Sequence, residues 1–268
     1  MDGKVFLNTF AEGAQIGNPE EITKQQLPIV AKTWKRSGAI VHYELYGIEP
    51  VNWKGTHKDF LIGDIGTAKI MLPVDPEFSG LDERPERLLT HRICAVVDDY
   101  DLTDEANPVL VLNRKKALTR MQELNARRVT TGGQAYGVIQ SETRGGYRMN
   151  VGGFHALMPR YWYDWDTSKS GRIGEGFEVA IRMNRNGRLV VSRSHLLPNP
   201  YENIQIGKGA RVLARVTHIY RGVFKAEIRP GVHIRISTPT MYHMIHVGDS
   251  VTVEVKGRDK FEFYGIAL

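Results

Sequence analysis

The chain reads as a mainly β protein: three small barrels in tandem, with a short N-terminal helix and a connecting helix. Three observations predict it. Short runs of alternating apolar and polar residues dominate the second half and are cut at brief intervals by Gly or Asn clusters, the rhythm of half-buried strands. A strand, polar turn, strand pattern recurs at 89–118, 174–196 and 247–268, spaced by about 80 and then about 70 residues. A length of 268 residues with 41% hydrophobic content suits two or three cores rather than one large one.

From the N-terminus, Met1 to Phe10 lacks a basic-then-apolar signal segment, and no apolar stretch approaches the roughly 18 to 20 residues of a membrane helix. A cytoplasmic protein with no membrane contact is the expectation. Asn18-Pro19-Glu20-Glu21 has the form of an N-cap, a first-turn proline and early acids, and predicts a helix of about ten residues that Pro28 kinks or ends. Ile40 to Leu45, Phe60 to Leu72 and Arg92 to Val97 read as strands. After Asn113, Ala117, Met121 and Leu124 fall at helical spacing, and Thr130 to Gln134 breaks that connector. The resulting domains are 1–126, 130–198 and 205–268. In the later strands Tyr147, Met149 and Val151 alternate with Arg148 and Asn150, and Phe177, Val179 and Ile181 with Glu178 and Arg182. Arg211, Leu213 and Arg215 alternate with Val212, Ala214 and Val216.

Charge divides the chain. Residues 1–126 hold 15 Lys and Arg against 19 Asp and Glu, whereas 127–268 hold 21 against 11, and 16 of those 21 cations are arginine. A polyanion suits the second half, because phosphate contacts release counterions and the guanidinium plane stacks on bases. The single cysteine, Cys94, excludes an internal disulfide or a cysteine-based zinc site within one chain. No phosphate loop, nucleophile elbow, His-Glu-x-x-His or dinucleotide fingerprint is present, so no enzyme, cofactor or metal is expected. His233, His243 and His246 lack an acidic or cysteine partner at ligand spacing. Asp98, Asp99, Asp101 and Asp104 could hold a divalent ion for a nuclease, but in a polar turn they read more simply as a solvated loop.

Residues 134–196 resemble the S1 domain, the RNA-binding OB barrel found in tandem in the largest protein of the bacterial small ribosomal subunit. Four pieces carry the resemblance in order: Gly137-Val138; Arg144-Gly145-Gly146-Tyr147; Gly153-Phe154-His155-Ala156-Leu157-Met158-Pro159; and Gly174 to Arg193, with its Asn184-Arg185-Asn186-Gly187-Arg188 turn and Val190-Val191-Ser192-Arg193 ending. Residues 205–268 resemble a further copy through Ile206-Gly207, Val212 to Val216, Arg221-Gly222-Val223-Phe224 and Val247 to Val251, but Tyr264 to Leu268 lacks the Ser-Arg ending. Residues 33–118 resemble the family weakly, with Asn113-Arg114-Lys115 where Ser-Arg-Arg is expected. The resemblance implies three five-stranded OB-type barrels and non-catalytic binding of single-stranded RNA with low sequence preference; it leaves open whether single-stranded DNA competes.

Such a barrel displays rings for bases and cations for phosphates on one face. Tyr147 with Arg144 and Arg148, and Phe224 with Arg221, are the expected platforms of barrels two and three. The resemblance adds the last-hairpin positions Asn184 and Arg188, with Arg185 beside them. In the third barrel His233, Arg235 and Ser237 alternate with Ile234 and Ile236 as a polar strand face, and Val232 is read as not sharing a face with Ile234. Tyr161, Trp162, Tyr163 and Trp165 crowd the segment after Pro159, too many for one core, and read as a packing or protein interface or as a stacking surface. The alternative reading is a docking module of a ribosome-, transcription- or virus-associated assembly, with the acidic first domain engaging a protein partner.

Overall fold

In the computed structural model residues 5–16, 20–81, 84–89, 92–166, 169–185, 188–202, 204–220, 223–237, 245–259 and 262–268 are described, apart from the side chains of 183–185, 188 and 220. The first barrel contains β1 (Phe6–Leu7), α1 (Leu27–Ser37), β2 (Val41–Trp53), β3 (Thr56–Asp64), β4 (Lys69–Pro73), α2 (Pro76–Ser79), β5 (Arg92–Asp101) and β6 (Val109–Asn113). The connecting helix α3 spans Arg114–Asn125. The second barrel consists of β7 (Gln134–Thr143), β8 (Gly146–Val151), β9 (Phe154–Pro159), β10 (Gly176–Arg185) and β11 (Arg188–Ser192). The third consists of β12 (Arg211–Tyr220), β13 (Val223–Arg229), β14 (Val232–Ser237), β15 (Ser250–Arg258) and β16 (Phe263–Ala267).

The second and third barrels are closed rings of five strands, and in each the third and fifth strands run parallel. In the first, pairing of β2 with β5 joins the ends of the same circuit, with β4 parallel to β6. All three thus follow one strand order: first, second, third, fifth, fourth and back to the first. This is the five-stranded Greek-key order of an OB-type barrel. The repeats at 89–118, 174–196 and 247–268 are its fourth and fifth strands.

Inward residues explain each ring. Tyr43, Leu45, Leu61, Ile70, Leu72, Ile93 and Leu110 are buried in the first core, and Phe224, Ile234, Ile236, Val253, Val255 and Phe263 in the third. In the second, Tyr147, Met149 and Val151 face the same interior as Val179, Ile181 and Val191. Between β8 and β9, Gly152 and Gly153 both take positive φ, 58° and 88°. A Cβ on Gly153 would lie 2.9 Å from the Leu118 carbonyl, so α3 approaches this turn closely.

Several expectations change. The N-terminal helix begins at Leu27, not near residue 19: Glu20 forms a bridge with Val5, and Pro28 occupies the first turn. A proline without an N–H costs nothing there, so Pro28 starts the helix instead of ending it. On α3, Leu124 faces solvent while Ala117, Leu118 and Met121 are buried. Val232, Ile234 and Ile236 share the interior face. Asn150, read as outward and solvated, is buried, because the N-terminal segment covers it.

The chain divides into two units: Met1–Pro159 with Gly171–Ser192, and Arg160–Ser170 with Arg193–Leu268. In the first, the segment from Asn8 to Ile16 binds barrels one and two. Glu12 is buried and receives two charge-assisted bonds from Arg114, Nε to Oε1 at 2.5 Å and Nη2 to Oε2 at 2.7 Å. Gln140 of β7 donates to the same carboxylate at 2.7 Å, and the Glu12 N–H donates to Asn150 Oδ1 at 2.9 Å. Burial alone would raise the Glu12 pKa, but the Arg114 charge and hydrogen bonds, with those from Cys94 and Gln140, hold it below the usual carboxylate value. His42 accepts the Gly13 N–H at Nδ1 and donates from Nε2 to the Asn8 carbonyl. Burial lowers its pKa to about 4, so it is neutral near pH 7.

Candidate nucleic-acid interface

In an OB-type barrel the second and third strands, with the loops joining strands one to two and four to five, form the ligand face, and in this chain the fifth strand extends that face by pairing alongside the third. On the third barrel these are β13, β14 and β16. Lys225 opposes Arg235 across β13 and β14, and Arg235 opposes Tyr264 across β14 and β16. All three are exposed, Tyr264 at 39%. In-register residues on one face stand about 5 Å apart, so two cations and a ring form a single row. Gly257 pairs with Tyr264 from β15, and a Cβ there would lie 2.4 Å from the phenol oxygen. The missing side chain lets the ring lie along the sheet. Glu262 stands 3.6 Å from Lys225 Nζ and 3.9 Å from Arg235 Nε, and Asp259 stands 3.9 Å from Arg235 Nη2.

The expected platforms are corrected. Tyr147 and Phe224 are each 1% exposed, sealed in their barrels, and Tyr147 Oη accepts the Gly171 N–H at 3.1 Å. Neither ring can stack on a base. The period of two already aligned Tyr147 with the core residues Met149 and Val151. His233 is also committed: its Nε2 donates to the Trp165 carbonyl at 2.6 Å, and its N–H donates to Tyr201 Oη at 2.7 Å. Arg221 lies outside the described residues. Tyr264 is the ring that sequence reasoning missed. Its strand, Phe263-Tyr264-Gly265-Ile266-Ala267, has no polar alternation to mark an outer face.

On the second barrel the ligand face comprises β8, β9 and β11. Arg144 in the β7–β8 turn and Arg148 on β8 are exposed, and Arg148 opposes the exposed Leu157 of β9. Asn184, Arg185 and Arg188 flank the β10–β11 hairpin tip, but their side chains are outside the described residues.

The aromatic run belongs to the second unit. Trp165 packs edge-on to Tyr201 at 6.2 Å, and Tyr201 lies against Phe263 of the third core. The Arg193 guanidinium covers Tyr163 at 4.7 Å, and Trp162 meets His195 edge-on at 5.4 Å. Tyr163 and Trp165 serve packing, while Tyr161 remains 65% exposed.

The acidic cluster is held by lysines. Lys116 pairs with Asp98 at 2.5 Å, and Asp99 is gripped by both Lys35 and Lys54. Partial burial opposes ionisation of Asp99, but the two lysine hydrogen bonds prevail and bring its pKa to about 2. Asp101 and Asp104 accept from Thr103 and Ala106 in their own turn. Among the described residues no three His, Cys, Asp or Glu side chains are arranged to hold a metal ion, and no helix is long and apolar enough to cross a membrane.

No known protein family and no curated protein matches the chain. Solved structures similar to it include the following two. One is a multidomain protein with nucleic acid binding domains from Streptococcus pneumoniae, at 11% identity over 85% of this chain and 73% of that one, with a TM-score of 0.22. The other is the CSD456 portion of Drosophila Unr, at 13% identity over 84% of this chain and 94% of that one, with a TM-score of 0.18.

Proposed function

We propose that the chain is a non-catalytic protein that binds single-stranded RNA. The observation that carries this reading is the exposed row Lys225–Arg235–Tyr264 on the ligand face of a closed OB-type barrel. The phenol stacks on an unpaired base while Lys225 and Arg235 exchange the Glu262 and Asp259 carboxylates for phosphates. Arg144 and Arg148 of the second barrel add backbone contacts. Stacking and phosphate contacts read no base edge, so sequence preference is low and single-stranded DNA competes. The test is fluorescence anisotropy with an RNA oligonucleotide of about 10 residues at ~0.15 M salt. Saturable binding that Tyr264→Ala weakens, with the oligonucleotide recovered intact, supports the reading; affinity no better than that of an unrelated basic protein ends it.

The first barrel favours a second, compatible reading. Its corresponding face carries a cleft of about 230 Å³ bordered by Trp53, Phe60, Phe78 and Val111, with the paired Lys54 and Asp99 at its rim. An apolar cleft with neutralised charges suits a protein side chain better than a phosphate. A stoichiometric protein partner that survives nuclease treatment and is lost on Trp53→Ala would assign docking to this barrel.

A further inference from the structure

The first unit carries a basic surface unlike the row on the third barrel, and its interpretation rests on the RNA-binding reading. α1 contains Lys32, Lys35 and Arg36 and no acid; α3 contains Arg114, Lys115, Lys116 and Arg120 against Glu123. Both helices belong to the half in which 19 acids outnumber 15 cations, so positive charge is segregated there rather than mixed. The helices meet where Arg120 Nη1 donates to the Ser37 and Gly38 carbonyls at 2.7 and 2.8 Å, which joins the C-terminal end of α1 to the middle of α3. A Cβ on Gly38 would stand 2.3 Å from that nitrogen, so glycine permits the junction.

Ion pairing sorts the cations into two groups. Asp99 holds Lys35, Asp98 holds Lys116, Glu77 lies 3.6 Å from Lys115, and Arg114 is buried on Glu12. Lys32 and Arg36, one helical turn apart, are exposed and have no acidic partner among the described residues. Arg127 and Arg128, just beyond α3, are likewise exposed and unpaired there. An open cleft of about 400 Å³ runs along Pro28, Ile29, Lys32, Thr33 and Arg36. Lys32 and Arg36 offer phosphates a pair of cations along α1, and among the described residues neither helix adds an exposed aromatic ring on which a base could stack: Trp34, the one ring on α1, is buried, and α3 has none. A strand of unpaired bases would leave them unsupported. A duplex has already stacked and paired its bases and presents phosphates and 2′-hydroxyls outward.

We propose that the α1–α3 face binds the backbone of a base-paired RNA segment, separately from the Tyr264 surface that takes unpaired bases. The full chain and Lys32→Glu/Arg36→Glu, both substitutions at exposed positions, are titrated by anisotropy against an RNA hairpin of about 16 base pairs and against oligo(U) of about 10 residues. The double variant is expected to lose at least about tenfold in hairpin affinity, and its slope of log K against log salt to fall by about 2. Its oligo(U) affinity should stay within about twofold, and its circular dichroism should match the parent. Tyr264→Ala should give the opposite pattern. Unchanged hairpin affinity, or an equal loss for both RNAs, overturns the proposal, as does loss of binding to phosphatidylserine vesicles with hairpin binding intact. If the parent binds the hairpin but not oligo(U), the stacking reading of Tyr264 fails and this one stands. If it binds neither, both fail.

Discussion

The first and third barrels share a strand order and differ in what they show to solvent. In the first, outward residues of the second, third and fifth strands, Phe60, Ile62, Met71 and Val111, are buried beneath Val51, Trp53 and Val109. In the third, the corresponding strands display Lys225, Arg235 and Tyr264. Inward residues specify the ring, and outward residues choose the ligand. One fold repeated three times in a chain therefore need not repeat one function.

The largest expected effect probes the cores. Phe224→Ala should destabilise the third barrel by about 3 to 5 kcal/mol in urea unfolding, with oligonucleotide affinity of the folded protein unchanged; an affinity loss without a stability loss would restore Phe224 as a contact. Arg114→Leu leaves the Glu12 carboxylate buried and unpaired, at a cost of about 3 to 5 kcal/mol to the first unit. A change under about 1 kcal/mol would place the hold on barrels one and two outside this pair.

pH sharpens the contrast further. The His42 pKa is about 4 in the folded chain, against 6.5 for an ordinary histidine. The unfolded chain therefore takes up a proton below pH 6.5 that the folded chain refuses until about 4. Stability from this group is complete above that window and is lost as pH falls through it, by up to about 3 kcal/mol. Unfolding midpoints across the window should fall in the parent and flatten in His42→Phe, while oligonucleotide binding through the third barrel shows no such step; equal slopes in both proteins would remove His42 from the account.

At the surface, Tyr264→Ala should leave stability within about 1 kcal/mol and weaken oligonucleotide binding by about 1 to 3 kcal/mol, with Tyr264→Phe close to the parent. An Ala variant that binds equally well would equate the two barrels' outer faces. The smallest effect belongs to Arg235→Gln, which should lower the salt slope by about 0.7; an unchanged slope means that Asp259 and Glu262 retain the cation.

Much of this was legible in the chain. The alternation at Tyr147, Met149 and Val151 named an interior face, and the same alternation, applied strictly, would have withdrawn Tyr147 as a stacking ring. Phe224, alternating with the exposed Val223 and Lys225, carried the same warning. The burial of Asn150 was not legible, because its cover, Glu12, lies 138 residues away. Nor was the start of α1, where Pro28 permits either an end or a beginning until the packing of Leu27, Ala31 and Trp34 decides.

By itself the sequence determined that the strands have an inner and an outer side and that positive charge is in excess in the second half, because a side-chain period of two and a tally of ionisable groups are properties of the chain alone. Only tertiary structure decided which outer residues became neighbours. Ring closure and strand register set Lys225, Arg235 and Tyr264 side by side and carried Glu12 to Arg114 across 102 residues, and neither juxtaposition is encoded in local spacing.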